Sequence, residues 1–298
     1  MPKSPLVTIG LPVTDNVAWV EEAVRSVFAQ TETSWELVIV GDGADEDVER
    51  RLELIQDDRV RFVRHQERRG LPSRLNEIVE LARGRFIARM DGDDVMHPER
   101  LRSQLSFLEQ ASSPIDVLGT GSYLVDDRGE VCGDYREPAL PDRISGYLRS
   151  GVFSHPTVIM RREWAEANPY DSTQVRTEDK ELWMRTASSS RFAKIPERLL
   201  FCRVPVALSR SKQALTAQRD RKLIRELGPS IASPGQVRAA LVKSKSKEII
   251  FGAMSTTGMV RMAHRRKYLP LGSVELTVAR ESLALAKSHP VPGWRDEH

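Results

Sequence analysis

The chain has 298 residues, of which 40% are hydrophobic and 29% charged, and its formal net charge at pH 7 is +3. These proportions exclude a largely disordered chain, a fibre and a coiled coil, and they predict one large globular domain or one domain with an appendage. No apolar stretch approaches the roughly 20 residues of a membrane-spanning helix, so an integral membrane protein is not expected.

The first residues of the chain and its two cysteines predict a cytoplasmic location. Residues 1–10 contain one lysine and no long apolar segment, so we expect no secretory signal. Cys132 and Cys202 are too few for a disulfide framework or a metal cluster, and we expect both thiols to be reduced.

The first hundred residues alternate short apolar runs with segments of helical periodicity. The runs 6–11, 37–40, 60–63 and 86–90 predict four buried strands, the first of which ends at Pro12. Apolar residues at helical spacing separate them and predict helices. Because the strands are apolar throughout, we expect an α/β fold with a mainly parallel, Rossmann-like sheet and helices on both faces.

The rest of the chain is less regular. A helix is predicted over 98–110, a hairpin turn at 126–129, and a short helix at 163–167. After about Pro205 we expect no further strands. The later predicted strands are 158–160, 192–195 and 199–201, and the later helices are 212–227, 236–252 and 273–288.

Three polar clusters follow predicted strands of the first half. They are Thr14 with Asp15, then Asp42, and then residues 91–94. Ligands of open α/β sheets bind beyond the carboxyl ends of the strands. We therefore expect these clusters to meet at one edge of the sheet and to form a binding site.

The densest of these clusters contains Asp91, Asp93 and Asp94 within four residues. Neighbouring carboxylates raise one another's pKa unless a cation compensates their charge. Oxygen ligands suit Mg²⁺ or Mn²⁺, which also bind substrate phosphates. The alternative is an acidic turn before the helix that begins at Pro98, since Asp and Gly are ordinary turn residues.

Seven segments in register resemble the motifs of the family-2 glycosyltransferases, which have the GT-A fold. The resemblance runs from about Val7 to Ser209 and includes a DxD motif. It implies transfer of a sugar from a nucleoside diphosphate donor to an acceptor hydroxyl, with inversion. The matching segments are 7–13, 19–31, 35–45, 69–76, 91–94, 154–162 and 177–185.

The resemblance implies a donor site built from the first two clusters. Asp42 would accept a hydrogen bond from the nucleotide base, usually uracil or thymine in this family. Pro12 and Thr14 would line the same pocket, with Asp15 beside them. Arg74 would lie near the ribose or the diphosphate.

The third cluster would complete the donor site. Asp91 would contact the ribose, and Gly92 would let the backbone approach the ligand closely. Asp93 would hold the cation that bridges the two phosphates, with Asp94 as the alternative ligand. Such a cation would stabilise the charge that the leaving diphosphate gains.

The resemblance assigns Asp179 as the general base that takes the proton of the acceptor hydroxyl. Its neighbour Glu178 is expected near the acceptor, although both acids also fit the N-terminus of a helix. His155 could contact the phosphate or the acceptor, or pack in the interior. Trp183 could support a sugar ring or belong to the core. Arg185 could neutralise phosphate or pair with the glutamate four residues before it.

Some positions depart from the family pattern. Thr14 stands where an aromatic residue often stacks on the base, and Gly41 and Ala44 replace an Asp and a Ser. Residues 203–205 lack the histidine that can complete the metal shell in many members. These departures weaken the expectations for the nucleotide and for the metal.

Two other functions compete with a glycosyltransferase. A sugar-phosphate nucleotidyltransferase usually needs a Gly-rich basic loop after the first strand, and residues 12–15 lack one. A non-catalytic saccharide-binding relative has no need of the acidic cluster or of Glu178 and Asp179. The acceptor is open: a saccharide, a lipid-linked molecule or a small metabolite.

The end of the chain is basic. Residues 206–298 hold 17 Lys and Arg against 7 Asp and Glu, out of 45 and 42 in the whole chain. We divide the chain into a nucleotide-sugar-binding half (1–103), an acceptor-binding half (104–205) and a basic helical extension (206–298).

The extension has two proposed roles. It could contact the inner face of an anionic membrane or a lipid phosphate, or it could cover the acceptor groove or join two copies. No nucleic-acid partner is expected. The residues that suggest a membrane contact are Met259, Val260, Arg261, Met262, His264, Arg265, Arg266, Lys267 and Leu269.

Overall fold

The computed structural model describes residues 4–135, 138–149, 152–204, 210–256 and 268–295. Ten strands, nine α-helices and two 3₁₀ helices, Ile144–Leu148 and His155–Thr157, are described in these ranges. The strands are β1 Val7–Val13, β2 Trp35–Gly41, β3 Val60–Val63, β4 Phe86–Arg89, β5 Val95–Met96, β6 Val117–Val125, β7 Val131–Tyr135, β8 Ile159–Arg161, β9 Phe192–Arg203 and β10 Tyr268–Leu269. The helices are α1 Val17–Phe28, α2 Glu46–Glu53, α3 Leu71–Leu81, α4 Arg100–Gln110, α5 Arg162–Ala167, α6 Glu178–Thr186, α7 Arg210–Ile231, α8 Pro234–Thr256 and α9 Ser273–Ser288.

The strands form one mixed sheet in the order β10-β7-β6-β8-β4-β1-β2-β3, and β9 pairs with both β6 and β5. Strands β4, β1, β2 and β3 are parallel, as the alternation of the first hundred residues predicts. Strand β8 runs antiparallel to β4 and joins this half to the second half of the chain. Apolar clusters cover both faces of the sheet, because its central strands are buried on both sides.

The prediction that β1 ends at Pro12 is wrong. Strand β1 continues to Val13, and Pro12 pairs in register with Val40 of β2. Pairing of β1 with β4 stops earlier, at Gly10. Pro12 therefore lies where β1 has a neighbour on one side only, and its missing N–H does not interrupt a second ladder.

Three strand predictions differ from the structure because the chain pairs over long distances. The segments 192–195 and 199–201 form the single strand β9, in which a register shift against β6 accommodates Pro196. The short β5 follows the acidic cluster and pairs with β9. Strand β10 lies beyond Pro205 and pairs with β7, so the expectation of no later strands is wrong.

The predicted helices of the last third are present, with longer bounds for two of them. Helix α7 continues past Gly228 to Ile231, because both residues are buried against neighbouring apolar side chains. Residues 259–267, which suggested a membrane contact, lie outside the described residues, while Leu269 belongs to β10. Among the described helices, none combines the length and the apolar character that crossing a bilayer requires.

Candidate active site

The acidic cluster occupies the turn between β4 and β5. Carboxylate oxygens of Asp91, Asp93 and Asp94 lie within 4.8 Å of one another. Asp93 is exposed, Asp91 is half-buried, and Asp94 is buried. The turn connects β4, which pairs with β1, to β5, which pairs with β9.

Charges within the cluster are poorly compensated. Burial, and then the charges of Asp93 and Asp91, raise the pKa of Asp94 well above its usual value. Burial and Asp91 raise the pKa of Asp93. A divalent cation would remove this repulsion, and three carboxylates are the hard oxygen ligands that Mg²⁺ and Mn²⁺ prefer. The residues present therefore fit such a cation.

The protein itself holds two of the three carboxylates. Asp94 accepts a hydrogen bond from the backbone N–H of Arg203 at 3.1 Å and from the Cys202 thiol at 3.6 Å. Asp91 accepts two hydrogen bonds from the guanidinium of Arg89, at 2.9 and 2.5 Å. Asp93 is the carboxylate of the cluster that faces solvent.

Arg89 connects the acidic cluster to the second half of the chain. Its side chain, in β4, is 3% exposed. Burial alone would lower its pKa, but Asp91, Tyr170 and Asp94 raise the pKa above its usual value. Its charge also acts on the carboxyl groups of α6, described below.

Asp42 lies at the end of β2 and is held by the loop that precedes α3. Its carboxylate accepts hydrogen bonds from the backbone N–H groups of Arg69 at 2.7 Å and Gly70 at 3.0 Å. The Arg74 Nε donates to the same carboxylate at 2.8 Å. Burial would raise the pKa of Asp42, but these hydrogen bonds and the charge of Arg74 lower it below its usual value.

Arg74 is buried beneath Asp42 rather than open to a ligand. Its side chain is 2% exposed and also bonds to Glu77 at 3.0 Å and to the carbonyl of Glu67 at 2.7 Å. In this structure Arg74 orients Asp42.

The end of β1 brings the other polar residues to the same edge. Thr14 and Asp15 are exposed, and Asp15 accepts a hydrogen bond from Arg68 at 2.6 Å. Gly92 lies so close to β1 that an added Cβ would be 3.2 Å from the carbonyl oxygen of Pro12. The backbone N–H of Asp42 donates to Val13 at 2.9 Å. The three polar clusters of the first half therefore meet, as the strand directions predict.

Asp179 lies in the first turn of α6 and is half-buried. Burial raises the pKa of Asp179, while the backbone N–H of Lys180 and the charge of Arg89 act in the opposite direction. The charge of Arg89 also opposes the rise in the pKa of Asp93 and Asp94, although both remain raised. One guanidinium thus acts on both the acidic cluster and Asp179.

Glu178, one residue before Asp179, is buried to 8% exposure. Burial, together with the charge of Asp179, raises its pKa. Its Oε2 has no hydrogen-bond partner among the described residues. The first turn of α6 therefore supplies two carboxyl groups whose protons are held more tightly than usual.

His155 and Trp183 belong to the interior. His155 Nε2 lies 2.8 Å from the Tyr170 hydroxyl, and burial, with the charge of Arg89, lowers its pKa well below the usual value. Trp183 is 1% exposed and packs edge-on against Phe153 and parallel to Trp164. The structure gives Trp183 a core position and leaves it no open face for a sugar ring.

Arg185 forms the ion pair that the sequence offered as an alternative. It bonds to Glu181 at 2.7 and 3.0 Å and to the carbonyl of Pro169 at 2.8 Å. The contact with Pro169 holds the loop of residues 168–177, which contains Tyr170. Arg185 therefore fixes this loop against α6.

Sequence reasoning missed Arg89, Tyr170 and Arg203. Arg89 lies inside an apolar run, and a charge in a predicted buried strand was the signal that could have identified it. Tyr170 follows a short helix in a loop with no periodic pattern. Arg203 contributes a backbone N–H to Asp94, which no residue type reveals, and its charge acts on Asp93.

Comparisons with known proteins agree with this architecture. Residues 8–167 match the family model described as glycosyl transferase family 2. An uncharacterized glycosyltransferase of Methanocaldococcus jannaschii is 27% identical over 195 residues, which are 63% of this chain and 66% of that protein. The match thus spans just under two-thirds of that relative.

Solved structures share the fold. The mannosyltransferase PcManGT from Pyrobaculum calidifontis, in complex with GDP-Man and Mn²⁺, superposes with a TM-score of 0.60 at 17% identity. The superposition covers 96% of this chain and 86% of the mannosyltransferase chain. S. aureus TarS 1–349, in complex with UDP, gives 0.58 at 18% identity, covering 85% and 74%. At these identities the likeness concerns the fold alone.

Proposed function

The chain belongs to glycosyl transferase family 2, and from this we propose that it transfers a sugar from a nucleoside diphosphate donor to an acceptor hydroxyl with inversion at the anomeric carbon. Structures with the same fold bind UDP in one case and GDP-Man with Mn²⁺ in another, which supports a nucleotide-sugar donor. The base at Asp42 is proposed to be uracil or thymine.

One observation carries this proposal. The guanidinium of Arg89 bonds to Asp91 and also influences the pKa of Asp179. The acidic cluster suited to a diphosphate and the carboxylate suited to a hydroxyl are therefore both near Arg89, which supports a shared site. A direct displacement needs a leaving group and a base on opposite faces of one sugar ring.

The donor would lie along the edge formed by β1, β2 and the acidic cluster. Asp42 has one hydrogen bond to its Oδ2, so this oxygen can accept another from a base N–H. Pro12, Thr14 and Asp15 would border the base, and Arg74 would keep Asp42 in place. Asp91 would contact the ribose, and Gly92 would let the ligand approach the backbone closely.

Asp93 and Asp94 would hold a divalent cation. When bound, this cation would stabilise the negative charge that the diphosphate gains as the glycosidic bond breaks. Asp93 is the more accessible ligand, since protein donors already bond to Asp94. Arg89 bonds to Asp91 and so compensates part of its negative charge.

Asp179 would accept the proton of the acceptor hydroxyl as the oxygen attacks the anomeric carbon. Burial makes it a stronger base than an exposed aspartate, while the backbone N–H of Lys180 and the charge of Arg89 favour its ionised form. Glu178 would border the acceptor. The buried, hydrogen-bonded side chains of His155 and Tyr170 would pack behind the acceptor part of the site and support it.

The decisive experiment removes the base while keeping the donor site. We expect Asp179→Asn to bind UDP with Mn²⁺ as the parent does and to lose transfer by about 10²-fold or more. UDP binding is measured by calorimetry, and transfer by release of the nucleoside diphosphate, UDP or dTDP, from a panel of UDP- and dTDP-sugars. Asp127→Asn, in an exposed hairpin turn, is the control. Transfer by Asp179→Asn at the parental rate would refute the role of Asp179.

A second experiment tests the metal site. We expect Asp93→Ala to lose the Mn²⁺-dependent part of UDP binding and to keep its fold, because Asp93 is exposed. Thermal shift with UDP, with and without Mn²⁺, reports this difference. Equal stabilisation of parent and variant by UDP with Mn²⁺ would contradict the proposed ligand.

A further inference from the structure

Helix α8 exposes an apolar strip formed by Val242, Ile249 and Ile250. Their side chains are 61%, 61% and 58% exposed. Spacings of seven and eight residues place all three on one face of the helix. Aliphatic side chains exposed together on one face mark a surface that another apolar phase covers.

Positive charges flank the α8 strip. Arg238, Lys243, Lys245 and Lys247 are exposed on the same helix, whose bounds contain a single carboxylate. That carboxylate, Glu248, bonds to Arg221 of α7 at 2.7 Å and to Lys245 at 3.1 Å. The solvent-facing side of α8 is therefore apolar along its centre and basic along its margins.

The opposite side of α8 is linked through α7 to α6, the helix that carries Asp179. Ser244 is 7% exposed and donates to Asp220 of α7 at 2.8 Å. Asp220 in turn pairs with Lys180 of α6, the residue after Asp179. The orientation of the α8 strip is thus determined relative to the candidate active site.

We propose that the α8 strip docks on the surface of an anionic lipid bilayer. The aliphatic side chains would enter the interfacial layer, and the flanking lysines and arginine would contact lipid phosphates. A second copy of the chain is a poorer occupant, because a twofold contact would bring the basic margins of both helices together. Docking would hold the acceptor side of the active site at the membrane.

Helix α9 provides an internal comparison. Val274, Val278 and Leu285 also form an exposed aliphatic strip, at 77%, 50% and 56% exposure. Glu281 lies exposed within this strip, and the helix contains two acids and two bases. The α9 strip has the apolar character without the positive charge, so it should not bind an anionic surface.

The experiment is co-sedimentation of the full chain with vesicles. Vesicles of phosphatidylcholine alone are compared with vesicles that also contain phosphatidylglycerol, at low and at physiological salt. We expect binding to the anionic vesicles, weakened by salt. Arg238→Gln/Lys243→Gln/Lys245→Gln should bind about a hundredfold more weakly, as expected for three basic residues near anionic lipid.

Two further variants separate the apolar contribution from the charge. Val242→Ser/Ile249→Ser/Ile250→Ser should lose binding at least about tenfold, since interfacial binding scales with buried apolar area. The matched α9 variant Val274→Ser/Val278→Ser/Leu285→Ser should bind as the parent does. Circular dichroism and thermal melting verify that each variant is folded.

Several results would overturn the proposal. They are equal binding to neutral and anionic vesicles, equal loss from the α8 and α9 variants, and no sedimentation with anionic vesicles at low salt. A dimer in light scattering that the α8 variant separates would assign the strip to a second copy. None of these readouts depends on glycosyl transfer, so failure of the proposed function would not affect the result.

Discussion

At the scale of single residues, Arg89 is the connection between the two halves of the site. It is 3% exposed, bonds to both oxygens of Asp91, and influences the pKa of Asp179. A buried guanidinium is stable here because carboxylates compensate it on more than one side. Arg89 therefore holds Asp91 in place, and we propose that it also influences the ionisation of the proposed base Asp179.

We predict that Arg89→Gln moves the acid limb of the pH–rate profile to higher pH. The positive charge of Arg89 acts to lower the pKa of Asp179, and the ionised form of Asp179 is the proposed base. Removing the charge raises that pKa, so activity begins to fall at a higher pH. Transfer rates over a pH series measure the shift.

The control for Arg89→Gln is Arg85→Gln, which changes an exposed arginine just before the same strand. We expect its pH profile to match the parent's. Loss of the buried cation should also reduce the free energy of unfolding by about 3 kcal/mol. An acid limb that stays in place in a folded Arg89→Gln would show that Arg89 does not set the pKa of Asp179.

At the scale of elements, Glu36 holds together β1, β2 and the end of α3. Glu36 is 1% exposed. Its carboxylate accepts hydrogen bonds from the Thr8 hydroxyl at 2.6 Å and from the backbone N–H and Nε of Arg83 at 2.7 Å each. Burial would raise the pKa of Glu36, but these hydrogen bonds and the charge of Arg61 lower it. The stability of this corner therefore depends on an ionised carboxylate.

We predict that Glu36→Gln lowers the free energy of unfolding by about 2 kcal/mol at pH 7. Because the folded-state pKa is lowered, ionised Glu36 stabilises the protein above its unfolded pKa, and this contribution is lost as the pH falls through the folded-state pKa. The gap between parent and variant should therefore shrink in acid. Urea unfolding from neutral to acidic pH measures it.

The exposed Glu80 of α3 is the matched control, and Glu80→Gln should leave stability within about 0.5 kcal/mol of the parent. If the difference caused by Glu36→Gln were the same at every pH, its cause would be packing and not ionisation.

At the scale of the whole molecule, residues 289–295 pack against α1 and α2 of the first half. Trp294 lies between Arg25 and Arg51, with guanidinium carbons 5.5 and 4.5 Å from its ring centroid. Its Nε1 donates to the Arg51 carbonyl at 2.9 Å. Gly293 has φ +88°, and an added Cβ would be 1.9 Å from the carbonyl oxygen of Leu54. Residues 289–295 thus complete the core beside α1 and α2.

We predict that Trp294→Ala lowers the free energy of unfolding by about 3 kcal/mol, because it removes a large buried side chain from the core of the first half. Val274→Ala in α9, at 77% exposure, should change it by less than about 0.5 kcal/mol. Chemical denaturation measures both. A Trp294→Ala variant as stable as the parent would show that the end of the chain is dispensable for folding.

The sequence predicts the first half of the fold well. Alternation of apolar strands and amphipathic helices is a local pattern, and the directions of β1, β2 and β4 follow from their helical connections. The GT-A fold is confirmed by the solved relatives, and the family by its model. The domain bounds and the roles of Asp42, Asp93 and Asp179 remain predictions.

The local sequence determined which residues alternate, turn and carry charge, because strand and helix periods repeat over a few residues. Only the tertiary structure decided their partners: that Arg74 is buried beneath Asp42, that Trp183 lies in the core, and that Arg25 bonds to the carbonyl of His289, 264 residues away. The partner of a given residue depends on which distant segments the folded chain brings together. A local sequence pattern spans only a few residues and contains no information about these distant contacts.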